Sequence, residues 1–132
     1  MPATIPEDLV DLLTSDVLAT VAAQRPDGSI ALYLMWIDHE GGRLLTSSRV
    51  GSRKAENWQR NPTVSVSAVD HADPWRFLIL RGRVVGTRPD EGLAFIDKLS
   101  VRYLGALYRM RNFEREIFEI EIDHVQASGG RG

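Results

Sequence analysis

The chain has 132 residues, 43% of them hydrophobic and 26% charged, a size and composition suited to one compact domain spanning residues 1–132. The absence of cysteine excludes disulfides, thiolate nucleophiles and Cys-ligated zinc or iron–sulfur centres, and fits a reducing, cytoplasmic setting. Sixteen basic against eighteen acidic residues give a formal net charge of −2, which argues against nucleic acid as the main partner, and no apolar run approaches the roughly 18 residues of a membrane span.

In chain order, Pro6 to Ser15 reads as a short helix, with Leu9, Leu12 and Leu13 at helical spacing, within an N-terminal segment 1–16 expected to lie on a barrel end. Val17 to Ala23 is a buried strand, and the turn at Pro26-Asp27-Gly28 leads into a second strand, Ile30 to Ile37. Asp38-His39-Glu40-Gly41-Gly42 reads as a turn and Arg43 to Ser47 as the third strand. Ser52 is placed to cap a helix running to Arg60, which Asn61-Pro62 ends. Thr63 to Val69 alternates with period two, and Trp75 to Thr87 is a long strand with a bulge or close backbone approach expected at Gly82. Pro89 at the first helical position opens a helix to Leu107, Tyr108 to Glu114 is a polar loop, and Glu116 to Val125 is an alternating strand. The tail 126–132 is expected to be flexible. Six strands in hairpin order with peripheral helices predict a mainly β fold, a small antiparallel barrel.

Positive charge is concentrated at Arg49-Val50-Gly51-Ser52-Arg53-Lys54, between a strand end and a helix start. Free helix N–H groups, a hydroxyl and adjacent cations are the parts of a phosphate site, and they are equally the parts of an ordinary solvated helix start. His39, His71 and His124 lack metal-ligand spacing, so no metal site is expected. No serine sits in a Gly-x-Ser-x-Gly motif, and Asp38 with Glu40 reads as a solvated pair in a turn. Trp58 reads as a core anchor; Trp36 and Trp75 are candidates to line a pocket, with core packing the alternative. Arg81-Gly82-Arg83 offers a second cationic contact or cross-strand pairing with acids. A phosphate site without nucleophile, metal or general base favours a cofactor that brings its own chemistry, leaving the catalytic residues unknown.

The order Val17-Leu18-Ala19-Thr20-Val21, Pro26-Asp27-Gly28, Leu45-Thr46-Ser47, Gly51-Ser52-Arg53-Lys54-Ala55, Arg60-Asn61-Pro62-Thr63-Val64, Asp73-Pro74-Trp75-Arg76-Phe77 and Arg81-Gly82-Arg83-Val84 resembles the pyridoxamine 5'-phosphate oxidase-like split β-barrel family over about Val17 to Val125. The Leu-Ala-Thr opening, the Trp in the second strand and an Arg-rich composition common in high-GC genomes resemble its actinobacterial branch using the deazaflavin coenzyme F420. The resemblance implies that Ser52, Arg53 and Lys54 hold the cofactor phosphate. It places Leu45 and Thr46 against the ring system and its chain, the backbone at Met35 and Trp36 facing the ring, and Trp75, Arg76 and Phe77 closing the site from a partner subunit. It further implies a homodimer passing a hydride from reduced F420 to a conjugated acceptor of quinone, enone or tetrapyrrole type. The alternatives are FMN in the same fold, or a non-catalytic carrier of flavin or haem. Tyr33 and His39 are the candidate proton donors.

Overall fold

A computed structural model describes residues 3–130. Its strands are β1 (Ala19–Gln24), β2 (Ile30–Met35), β3 (Ile37–Glu40), β4 (Arg43–Arg49), β5 (Thr63–Val69), β6 (Arg76–Pro89) and β7 (Arg115–Gly129), with helices α1 (Asp11–Thr14), α2 (Arg53–Arg60) and α3 (Ala94–Leu104). The strands form one antiparallel sheet in the order β2-β1-β5-β6-β7-β4-β3. The strand expected from Ile30 to Ile37 is therefore two strands, and the count is seven instead of six. β2 pairs with β1, β3 pairs with β4, and these pairs lie at opposite edges of the sheet. A single residue, Trp36, joins those edges. The sheet must roll up for one residue to span them, which closes the mainly β split barrel.

Side chains from the inner face and from α1 fill the barrel. Val21, Leu44, Val66, Leu78, Leu80, Phe118 and Ile120 belong to this main core, together with Leu9, Leu12 and Leu13 from the N-terminal segment. That segment is a 3-10 turn at Glu7–Leu9 followed by α1, and its leucines pack into the main core. Trp58 of α2 meets Phe118 edge-on, with ring centroids 5.0 Å apart, which makes it the core anchor expected. Arg76, at the start of β6, donates to both carboxylate oxygens of Asp11, to Asp70 and to the Asp8 carbonyl, tying α1 to the β5–β6 connection.

A second, smaller core lies outside the barrel, where α3 covers β4 and β7 with Leu45, Phe95, Leu99 and Ile117. β4 is buried on both faces, which accounts for its apolar and small-residue run. Two elements beside this layer depart from the sequence reading. Asp38 and His39 lie in β3 instead of a turn, because they pair with Leu45 and Leu44 of β4, and Asp38 is buried against Lys98 and Arg102 of α3. The helix begins at Ala94, not Pro89: Pro89 ends β6, and Gly92 and Leu93 take positive φ values of 62° and 60°. The Asp90 carboxylate reaches over this turn to accept from the amides of Phe95 and Ile96 at 2.8 and 2.9 Å. The helix stops at Leu104 because Gly105 adopts a left-handed cap, so Leu107 lies beyond it.

The expected flexible tail is largely ordered. β7 continues to Gly129 because the start of β6 offers it a partner, with Phe77 opposite Ser128 and Arg76 opposite Gly129. Residues 131 and 132 of that tail lie outside the described residues. The bulge expected at Gly82 is present as a register shift against β7. A Cβ there would stand 2.0 Å from the Glu121 carbonyl oxygen, so two backbones meet where no side chain fits. Gly82→Ala is expected to destabilise the fold by about 2–4 kcal/mol in urea denaturation, since relief requires moving β6 away from β7.

Candidate functional site

The seam at Trp36 carries its own hydrogen bonding. The Trp36 carbonyl accepts from the Thr46 hydroxyl at 2.9 Å, and the Ile37 amide donates to the Tyr103 hydroxyl at 3.3 Å, so side chains replace the missing ladder. The indole stacks on Tyr103 with centroids 5.3 Å apart at 14° and meets Tyr108 edge-on at 6.2 Å. Beside this aromatic group lies a cleft of ≈ 200 Å³ whose lining includes Met35, Trp36, Ser47, Lys54, Tyr108 and Arg115. Ile96 and Leu99 of α3 complete its wall, so one side belongs to the barrel and the other to the outer layer.

The polar side of the cleft is cationic. Gly51, at φ 79°, turns the chain after β4, and Ser52 caps α2 by accepting from the Ala55 amide at 3.2 Å. Its hydroxyl also lies 2.6 Å from that of Ser48. The cap sets the direction of α2 and brings Lys54 to the cleft, with its ammonium 5.4 Å from the Tyr33 ring centroid. Across from it, Arg115 Nε donates to Ser47 Oγ at 2.9 Å, and its guanidinium lies 5.0 Å from the Tyr108 ring centroid. Burial holds both cations below their ordinary pKa values, and for Lys54 the like charge of Arg115 adds to the effect. Among the described residues no carboxylate lies within ion-pair distance of either, although ten other ion pairs form. Two half-buried cations with no carboxylate in contact, Arg115 feeling Asp90 only at longer range, are arranged for an anion.

Of the residues singled out in the sequence, Met35, Trp36 and Lys54 meet in this cleft. Leu45 and Thr46 stand behind it, Leu45 in the outer core and Thr46 bonded to the Trp36 carbonyl. Ser52 serves as the cap of α2. Arg53 is exposed and lines a separate hollow with Arg25, Tyr33 and Asn57. Trp75, Arg76 and Phe77 are not among the residues that line the cleft: Trp75 is exposed, Arg76 is held by Asp11 and Asp70, and Phe77 pairs with Val69 and Ser128. Arg83 pairs with Glu121 and Asp123, which is the structural alternative for the Arg-Gly-Arg segment. His39 is half-buried, and burial lowers its pKa against the pull of Asp38.

Arg115, Tyr108 and Ser47 line the cleft and are the candidate residues that sequence reasoning missed. Arg115 sits opposite Arg49 in the β4–β7 register, a like-charge pair that only the register reveals.

Because the folded state lowers the Lys54 pKa below its ordinary value of 10.5, the unfolded chain binds more protons in the alkaline window below that value. Stability contributed by this group therefore rises with pH through that window. Lys54→Met is expected to stabilise the ligand-free protein at neutral pH and to flatten this alkaline rise, as read by urea denaturation at neutral and alkaline pH.

A family model for pyridoxamine 5'-phosphate oxidase matches residues 5–129. Among solved structures, an F420 reductase is similar with a TM-score of 0.84 and 31% identity, covering 92% of this chain and 98% of its own. A conserved hypothetical protein from Mycobacterium tuberculosis has TM-score 0.72 and 22% identity, over 98% of this chain and 88% of its own. A FAD and heme binding protein from Mycobacterium smegmatis has TM-score 0.68 and 21% identity, over 98% and 73%. No curated protein matches. A rolled sheet closed at Trp36 and a family match over nearly its whole length establish that this chain belongs to the pyridoxamine 5'-phosphate oxidase family.

Proposed function

We propose that this protein is an F420-dependent reductase, acting as a homodimer on a small conjugated acceptor. Family membership and likeness to an F420 reductase support an oxidoreductase of flavin or deazaflavin type. The observation that carries the finer reading is the pairing of Lys54 and Arg115, two half-buried cations with no carboxylate in ion-pair contact, beside the Trp36–Tyr103 stack. That donor set suits a ligand that is planar at one end and phosphorylated at the other. When bound, reduced F420 supplies a hydride from its deazaflavin C5. The chain's own part is to hold the phosphate with Lys54 and Arg115, with Ser52 fixing the helix start and Arg53 at the periphery. Trp36, Met35, Ile96 and Leu99 exclude water from the ring and set its plane. The resemblance assigns Trp75, Arg76 and Phe77 to the partner's side of the site. A cytoplasmic location belongs to the same reading; no helix among the described residues is long and apolar enough to cross a membrane.

The size of the cleft supports the dimer. A volume of ≈ 200 Å³ is below the roughly 300 Å³ at which ligand pockets begin, so a second chain is needed to enclose a cofactor. Edge strand β2 presents Ile30, Leu32 and Leu34 outward, 57%, 67% and 70% exposed, with Ile79 on the same outer face through Thr20 and Ser67. Leu34 also borders the cleft, so a chain seated on this face reaches the site. Leu32→Glu is expected to give a monomer in sedimentation equilibrium and to weaken cofactor binding.

The deciding measurement is a titration of the purified protein with F420 and with FMN, followed by fluorescence. Saturable binding of F420 in preference to FMN supports the reading; preference for FMN moves the chain to a flavin enzyme of the same fold, and no binding of F420 ends the proposal. Lys54→Ala is expected to weaken binding by ~1.5–3 kcal/mol, the loss of one charge-assisted contact, and Arg53→Ala by less.

A further inference from the structure

Among the described residues two carboxylates are buried, Asp38 and Asp90. Asp90 is accounted for by the amides at the start of α3. Asp38 on β3 grips the middle of the same helix. Lys98 Nζ donates to its Oδ2 at 2.8 Å and Arg102 to its Oδ1 at 3.1 Å, two cations one helical turn apart. Tyr103 follows Arg102 directly. Its hydroxyl donates to the Val17 carbonyl at 2.7 Å and accepts from the Ile37 amide, while its ring lies flat against Trp36, two residues before Asp38. The contacts form a closed circuit around the seam: Asp38 to Arg102, Tyr103 to Trp36, and Trp36 through the chain back to Asp38. Without the carboxylate, Arg102 keeps only the Ile37 carbonyl at 3.4 Å, and Lys98, half exposed, turns to solvent.

A buried ion pair is weak evidence for stability, because desolvation offsets attraction, and its better attested use is to fix one arrangement among several. We propose that Asp38 is a positioning residue for the aromatic wall of the cleft, holding α3 and, through Tyr103, the plane of Trp36 against which a planar ligand lies. The part concerning a ligand rests on the proposed function; the part concerning Trp36 does not.

The test uses the full chain labelled at its tryptophan indole nitrogens, with the three signals assigned by single Trp→Phe variants. In the ligand-free protein, Asp38→Asn is expected to shift or broaden the Trp36 signal and leave that of Trp58 in place. Should Asp38→Asn fail to fold, the double variant Lys98→Gln/Arg102→Gln removes both cationic partners of Asp38, together with the Arg102 bond to the Ile37 carbonyl, and is expected to give the same pattern. Affinity for F420, or for FMN if that binds, is expected to fall about tenfold in either variant. A folded variant in which the Trp36 signal stays unmoved overturns the proposal, even if stability drops. If the wild type binds neither F420 nor FMN, the functional reading fails while the Trp36 signal still decides the role of Asp38.

Discussion

The single-residue junction at Trp36 is the constraint on which the rest of this structure depends. Strands β2 and β3 are continuous in the chain yet occupy opposite edges of the sheet, so the barrel's closure is written into covalent connectivity. A junction of this kind strands its backbone polar groups between two ladders. Thr46 and Tyr103 supply the missing partners from β4 and α3. The need to satisfy those groups brings an aromatic helix residue to the seam, and the cleft follows from that meeting.

The cleft also lies between two hydrophobic cores that do not merge. The barrel interior holds Met35 and Ala55 near one side, and the outer cluster of Leu45, Phe95, Leu99 and Ile117 supports the other. Lys54 and Arg115 sit at this boundary, half withdrawn from water and facing each other's charge. Their placement is unfavourable for the empty protein and would be favourable for an anionic ligand, the opposition between stability and function that the proposed binding role requires. Asp38, by contrast, keeps its charge. Burial opposes ionisation, but Lys98, the His39 amide and Arg102 outweigh it and hold the carboxyl below the ordinary range.

Much of this fold was legible in local patterning. Alternation marked β5 and β7, turn chemistry marked the first hairpin, and Ser52 announced α2. Gly82 was flagged as a close approach because a glycine in a strand interior has few other uses. What escaped was decided by distant partners. Asp38 looks like a turn residue until α3 covers it, and the continuous run at Ile30 to Ile37 gives no sign that its two halves join different edges. Lys54 and Trp36 were visible as an unusual cation cluster and a large aromatic. Arg115 was not, since a charged residue between two glutamates at a strand start carries no local mark of burial.

The place of β7 between β6 and β4 has a consequence for how the molecule comes into being. The hairpins β1–β2 and β3–β4 are formed from neighbouring sequence, but nothing in the ladder order joins them directly; β4 reaches the rest of the sheet only through β7. On the ribosome, the β3–β4 hairpin must therefore wait with an unpaired edge until some seventy further residues have emerged, as the pairing of Leu44 with Ile120 implies. The barrel cannot be assembled strand by strand in order of synthesis, and its last strand is the one that makes it whole.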